Sequence, residues 1–526
     1  MRRDRELARL HTQHEWDLVV IGGGATGIGC ALDAASRGAR VALLERGDLA
    51  SGTSSRSTKL LHGGVRYLEA AITKLDSGQF NLVREALAER HLLLRLAPHL
   101  ARELRLVTPL QNRLEAPYMW AGLQLYDRLS GLRRLQPCHH LSRRELARTC
   151  PSLRPAAAGV AYSDGQFDDA RYAVCAAITA QAHGACISTY CAVTGLAPES
   201  AGWTITWHDA LNNERGSIRA KAVINAAGPS CDQVRALADP QAPALLRVSS
   251  GIHLVLPGSL WQGTAGLLIP ATADGRVLFA LPWLGHLLVG TTDQAATVSA
   301  RPQVSEDDIA YVLAQLNPYL RRPAHRDQVR SAWSGLRPLV AGTAAGATKA
   351  LSRDHLVHRD QPGLITITGG KWTTYRRMAS DAVNAAASDA RLHLKPVCSN
   401  RIAIAGGARF HQLGDSWCAT LAPDIAAHLR HSYGDRTPLL LTEPAERLLP
   451  GHPYLRSEVA YAAQQEGAAT SDDILCRRTR LAFLDRDAAK AALPRVNRLL
   501  AAALAWSPEQ QQADQDRCLA ILNTAL

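Results

Sequence analysis

No part of the 526-residue chain approaches the ~18 uninterrupted apolar residues that a membrane-spanning helix needs, so no helical span is expected. The first six residues, Met1-Arg2-Arg3-Asp4-Arg5-Glu6, are basic but lack the apolar stretch of a signal peptide, and no secretory leader is expected either. Eleven cysteines are present, yet none stands in a CxxC pair or at short ligand spacing. That pattern argues against zinc, iron–sulfur and disulfide frameworks, and for reduced, mostly buried thiols in a cytosolic compartment. Aromatic residues are scarce, at 5% of the chain. Nucleic-acid binding calls for aromatics interleaved with basic residues, so the net charge of +12 does not point to that class. An anionic membrane surface or a phosphorylated substrate is left as the partner, with a surface merely solubilised by arginine as the plain alternative. No internal repeat is found.

At 47% apolar residues, a chain of this length can bury a large core and is expected to form two to four domains. Its most informative segment runs from Asp17 through Leu18-Val19-Val20-Ile21 to Gly22-x-Gly24-x-x-Gly27. The apolar run predicts a buried parallel strand, and the glycines open a helix over about 25–36. Gly22 permits the tight turn, Gly24 the approach of a pyrophosphate, and Gly27 the close packing of helix on strand. The amides of Ala25 and Thr26 then face phosphate oxygens with the helix dipole behind them. Arg37-Gly38 ends the helix, and Arg40 to Glu45 predicts a second strand. Glu45, followed by Arg46, stands where an acid accepts hydrogen bonds from an adenosine ribose. The order of strand, glycines, helix, strand and acid predicts a dinucleotide site.

The next stretch, Ala50 to Lys59, carries six hydroxyl residues, which would be wasteful in a core and are expected over a polar ligand. Helices are predicted over about 79–96 and 172–182, an edge strand over 184–188, and a short buried strand ending in Asn225-Ala226-Ala227-Gly228. Residues 247–340 alternate strands and turns. Leu364-Ile365-Thr366-Ile367-Thr368 leads into Gly369-Gly370-Lys371, again a strand, a glycine turn and a helix start. From about Pro396 the composition becomes helix-rich and alanine-rich.

The segments Ser57 to Glu69, Trp333 to Leu339 and Gly369 to Arg376 closely resemble the FAD-dependent glycerol-3-phosphate dehydrogenases. Gly275 to Trp283, Gly290-Thr291-Thr292-Asp293 and Arg477 to Leu484 are further matches. Gly251 to Gly258 and Trp372 are closer to the mitochondrial-type branch. With no presequence visible and nothing like the EF-hand pair of the animal enzymes, a bacterial member of that branch is expected. The resemblance covers about 15–505. It implies an α/β fold with a Rossmann-type FAD-binding domain of the glutathione-reductase-like kind, over about 15–95, 150–245 and 330–395. An α+β substrate domain is inserted over about 96–149 and 246–329, completing an oxidoreductase region of 1–395. A helical C-terminal domain follows over 396–526.

The implied reaction oxidises sn-glycerol 3-phosphate at C2 to dihydroxyacetone phosphate, with hydride passing to flavin N5 and electrons on to ubiquinone or menaquinone. It needs cations for the phosphate, an acceptor for the hydroxyl proton, and donors near flavin N1. The resemblance places Arg337, Arg353 and Lys371 near the substrate, with Arg66 and Tyr67 beside them. His253 is the first candidate for the proton, because imidazole titrates near neutral pH. His62 is its rival, and a buried structural histidine is the plain alternative. Arg337 is the candidate to polarise the developing alkoxide. Ser54, Ser57 and Lys59 are expected at the pyrophosphate or flavin edge. His62, Gly63, Gly64, Ala227, Gly228, Gly370, Lys371 and Thr373 are expected to complete the flavin site, and the FAD to be held without a covalent link.

Six arginines between residues 128 and 148 (Arg128, Arg133, Arg134, Arg143, Arg144, Arg148) meet few acids. Anionic lipid attracts such clusters at about 1 kcal/mol per basic residue, so peripheral docking on the inner face of the cytoplasmic membrane is expected, helped by Arg2 and Arg3. A solvated stripe is the alternative. Two rival functions stand beside the quinone-linked one: an oxidase that passes electrons to oxygen and forms peroxide, and a non-catalytic flavin-binding regulatory protein. A homodimer is left open.

Overall fold

The computed structural model describes residues 1–64, 77–111, 116–341, 355–441 and 444–524. The first apolar run forms the strand Glu15–Ile21, fully buried from Leu18 onward. A continuous apolar run is what a strand covered on both faces requires. It pairs in parallel with Val41–Leu44 on one side and with Glu214–Asn225 on the other. Leu364–Gly369 adds in parallel beyond Glu214–Asn225, and Cys186–Ser188 forms the opposite edge beside Val41–Leu44. The helices Ala25–Ser36, Asp169–Ala182 and Tyr375–Asp389 cover one face and share a core with Leu18, Val20, Leu43, Ile224 and Ile367. Gly29 lets two of them meet, since a Cβ there would lie 2.9 Å from the Tyr375 ring. The opposite face packs Val19, Ile21 and Leu44 against Trp203 and Trp207.

A second, largely antiparallel sheet of ten strands faces this layer. Next to one edge, Leu246–Pro257 is flanked by His286–Gly290 and Ser331–Val340. Ala101–Leu110 pairs with Ala158–Phe167 along ten rungs further across the sheet. Ala158–Phe167 and Ser331–Val340 were expected in the FAD-binding layer, within 150–245 and 330–395; both belong to the second sheet. Periodicity identified each as a strand but says nothing about which distant strand it pairs with.

Beyond Asp389 the chain is helical, with no strand among the described residues and only an isolated bridge between Arg447 and Leu455. This region joins the second sheet in one core that includes Leu104, Val160, Trp333, Leu475, Phe483 and Leu500. It is also fastened to the first layer by charge. A π-helical turn, Ile474–Arg478, widens the helix so that two consecutive arginines reach one carboxylate. Arg478 donates to both oxygens of Asp48 at 2.6 and 2.8 Å, and Arg477 Nε donates to the same group. Arg480 donates to Ser55 O at 2.9 Å and to Asp169 at 3.3 Å. Arg171 grips Glu466 with two bonds of 2.7 and 2.8 Å.

Asp48 and Arg478 are 0% and 1% exposed. Removing one partner of a buried pair leaves the other charge without compensation, at a cost of about 3–5 kcal/mol. Asp48→Ala should therefore lower the urea midpoint by that equivalent with an unchanged m-value. A loss below about 1 kcal/mol would mean that the Glu466 carbonyl and Asp473 suffice for the two arginines.

Candidate cofactor and active site

Gly22 ends the first strand at φ +110°, where a Cβ would fall 2.6 Å from Ala226 O. Gly27 lies against Gly22 O too closely for any side chain. These two contacts fix the crossing of strand and helix and leave Gly24 as N-cap, turned to open space with Ser54 Oγ as its near neighbour. Gly24, Ala25 and Thr26 line a cavity of about 600 Å³ together with Gly22, Glu45, Arg46, Ser54, Ala227, Gly228, Gly370 and Lys371.

Glu45 accepts from Gly23 N at 2.5 Å with one oxygen and from Gly47 N at 2.7 Å with the other. Each oxygen keeps a lone pair for a ribose hydroxyl. Burial raises the Glu45 pKa, and the two amides oppose that rise. Ser54 Oγ accepts from Ala25 N at 2.9 Å, which holds the hydroxyl loop on the helix N-terminus. Asn225, fully buried, accepts from Ala227 N at 3.2 Å and donates to Cys231 O at 2.9 Å, fixing the turn before Gly228. Amides at a helix N-terminus, an acid with spare lone pairs and an open glycine cradle fit a bound dinucleotide.

The other named residues lie elsewhere. Ser57 and Lys59 do not line this cavity; both turn to a buried acid instead. Ser57 Oγ and Lys59 Nζ each donate to Asp169 Oδ2 at 2.7 Å, and Lys59 is 0% exposed beneath the rings of Trp333, Trp283 and Phe483. Burial pulls the Lys59 pKa down to about 7 against the attraction of Asp169. An ionised carboxylate sealed in a core must be paired, and the loop supplies the partners. His62 N donates to Thr373 Oγ1 at 3.3 Å, stitching the first glycine turn to the last. Gly63 N donates to the buried hydroxyl of Tyr126 at 2.7 Å, and Gly64 takes φ +88°. Arg66, Tyr67 and Arg353 lie outside the described residues.

His253 and Arg337 come together on one face of the second sheet. His253 is opposite Trp333, Arg337 is opposite Ser249, and Gly251 lies between them, with no room for a Cβ beneath the guanidinium. Arg337 donates to Thr291 Oγ1 at 2.8 Å, Thr292 O at 2.9 Å and Asp293 at 3.1 Å. His253 is 2% exposed, stacks on Trp333 and shares a 3.0 Å hydrogen bond with Thr58 Oγ1. Burial first, then Lys59 and Arg337, hold it well below the usual imidazole range, so the ring is neutral.

Trp372 belongs to the 369–373 stretch expected to complete the flavin site, whereas Arg56 carries no such expectation. Trp372 donates to Ser54 O at 2.9 Å and packs edge-on with Phe167, Tyr172 and Tyr375. Arg56 lines the same wall with a buried Nε that has no partner. Its place in the hydroxyl-rich stretch was the only signal in the sequence.

A Rossmann sheet with this cavity at the carboxyl ends of its strands, faced by an antiparallel sheet, defines a two-domain flavoprotein oxidoreductase. Residues 17–376 match the family model of FAD dependent oxidoreductases, and residues 365–511 match the C-terminal domain of alpha-glycerophosphate oxidase. The chain is 41% identical to the mitochondrial glycerol-3-phosphate dehydrogenase SDP6 of Arabidopsis thaliana, over 97% of this chain and 86% of that protein. Identity to the human mitochondrial glycerol-3-phosphate dehydrogenase is also 41%, over 97% and 73% of the two chains. The crystal structure of a Bacillus halodurans glycerol-3-phosphate dehydrogenase complexed with FAD superposes with a TM-score of 0.80 at 29% identity, covering 99% of this chain and 98% of that one. The chain belongs to the FAD-dependent oxidoreductases, in the branch of the glycerol-3-phosphate dehydrogenases, and its cofactor is FAD.

The neutral state of His253 sets a pH dependence. Its folded pKa is depressed while the unfolded value stays near 6.5, so below about pH 6.5 the unfolded chain binds the extra proton. Stability therefore falls as the pH drops through that range. His253→Gln should flatten the slope of unfolding free energy against pH by one proton, about 1.4 kcal/mol per pH unit. An unchanged slope between about pH 4 and 6 would show that His253 is charged in the fold.

Proposed function

We propose that this protein oxidises sn-glycerol 3-phosphate to dihydroxyacetone phosphate and delivers the electrons to a membrane quinone. The observation that carries the reading is the identity of 41% over nearly the whole chain to dehydrogenases of that name. FAD, held by the glycine cradle, Glu45 and the helix amides, would supply a two-electron acceptor for the C2 hydride. The remaining work falls to side chains of this protein. Arg337 offers a planar fork to the substrate, fixed by Thr291 and Asp293, and Lys371 adds a point charge from the cavity wall. Arg353 completes the phosphate-reading set by resemblance, with Arg66 and Tyr67 beside it. The alcohol proton goes to His253, which is neutral and so able to accept it; His62, half-buried in its glycine turn, is the alternative acceptor.

Docking at the membrane is proposed as peripheral. No helix among the described residues is long and apolar enough to cross a bilayer. Arg128, Arg133, Arg134, Arg143, Arg144 and Arg148 are all exposed, and Trp120 is 43% exposed on the neighbouring helix Ala116–Leu129. Arg3 takes no part in this docking, because its side chain is held by Asp209 and Thr189 O in a largely buried site.

Glycerol 3-phosphate should bleach the flavin absorbance under anaerobic conditions, and added quinone should restore it. Arg337→Ala should lower kcat/KM for glycerol 3-phosphate by about ten- to a hundredfold, as expected for a lost charge-assisted hydrogen bond, and leave residual glycerol oxidation nearly unchanged. Equal losses on both substrates would move Arg337 from phosphate reading to catalysis or folding. Under air, stoichiometric peroxide without quinone reduction would instead favour the oxidase.

For the membrane, high salt shortens the Debye length to about 3 Å and should release the enzyme from washed membranes. Arg133→Glu with Arg134→Glu should weaken liposome binding without slowing flavin bleaching. Extraction by detergent alone would refute an electrostatic attachment.

A further inference from the structure

Five arginines line the cofactor cavity: Arg46, Arg56, Arg301, Arg477 and Arg517. The acids on its wall are already committed. Asp48 and Asp472 pair with Arg477, and Glu45 is held by two backbone amides. Arg517 is paired with Asp514. Neither Arg56 nor Arg301 has a carboxylate partner among the described residues. Arg56 Nη1 donates to Ser51 O at 2.5 Å, and its Nε is buried without a partner. Arg301 stands exposed on the loop between Ala296 and Glu306, which reaches over the cavity from the second sheet.

From this we infer that Arg56 and Arg301, one from each layer, form a cation clamp on the diphosphate of the bound FAD. Two residues before Arg56, Ser54 touches the helix N-terminus at Ala25, so the clamp and the helix amides face the same space. Burial, and then repulsion from Arg477, Arg301 and Arg480, pulls the Arg56 pKa down to about 10. A dianion set between the guanidinium groups converts that repulsion into attraction, and each planar fork matches two phosphate oxygens. The clamp also gives the inserted layer a direct part in retaining the cofactor, which the fingerprint helix alone does not.

The test displaces FAD from the holoprotein with ADP or with adenosine and follows the return of flavin fluorescence. Adenosine shares the nucleoside but lacks the diphosphate, so the ratio of the two effective concentrations isolates the clamp. In Arg56→Met the advantage of ADP over adenosine should shrink about ten- to a hundredfold, because adenosine then displaces the loosened FAD at lower concentration while ADP and FAD weaken together, and Arg56→Lys should retain part of it. Raising NaCl from about 0.1 to 1 M should erode the advantage in the parent protein and much less in Arg56→Met. An unchanged ratio, with the ADP and adenosine concentrations shifting by equal factors, overturns the clamp. Should Arg56→Met fail to fold, Arg301→Gln on its exposed loop decides: the ratio must fall there too, and an unchanged value overturns the proposal.

Discussion

The carboxylate of Asp48 accepts hydrogen bonds from two consecutive arginines that follow it by some 430 residues, and the wall of the cofactor cavity hangs from that contact. The hydroxyl-rich loop beginning at Asp48 is anchored again at its far end, where Lys59 and Arg480 converge on Asp169. Between the two anchors Arg480 also takes the carbonyl of Ser55. The loop is thereby stretched across the helix N-terminus with Ser54 facing Ala25. Buried ion pairs of this kind add little net stability over apolar packing, because desolvation offsets most of their attraction. Their effect here is positional: the segment that must lie beside the cofactor is tied to two different layers of the protein.

The same loop governs the substrate side. Thr58 hydrogen bonds to His253, and the carbonyl of Arg56 lies over Gly335, so the loop rides on the face of the second sheet that carries Arg337. Glycines at 251, 290 and 335 clear the way for an imidazole, a guanidinium and a crossing backbone, where side chains would collide. Positive charge beside this imidazole rests on Arg337, with Lys59 drawn down to about 7 by burial. The imidazole between them stays neutral, which is the state needed to accept a proton.

Local geometry was legible in the sequence; long-range pairing was not. Gly24, Gly27 and Glu45 could be placed because their roles depend on neighbours within thirty residues, and Gly22 because its turn is part of the same local motif, although Ala226 also closes over it. Ser57 and Lys59 were misplaced because their partner, Asp169, is about 110 residues further on and carries no motif. Six hydroxyl residues in ten read as a ligand surface, and Ser51, Thr53, Ser54 and Ser55 do line the cavity, whereas Ser57 and Thr58 satisfy buried protein groups. Arg3 read as free basic charge until Asp209 proved to be its partner. Strands at 158–167 and 331–340 were recognisable as strands, but their sheet was decided by pairing with Ala101–Leu110 and Leu246–Pro257.

Because the cavity wall includes Gly22 and Glu45 as well as Arg477, Arg517 and Ile521, its parts leave the ribosome in widely separated order. At about 5–20 residues per second, the fingerprint helix waits roughly 25 to 100 seconds for the last of its companions. During that interval the Rossmann layer can fold, yet the cavity has no C-terminal side. One side of the cavity is thus built by the last residues to be made, and a chain truncated before residue 477 would lack Arg477, Arg517 and Ile521 from that wall.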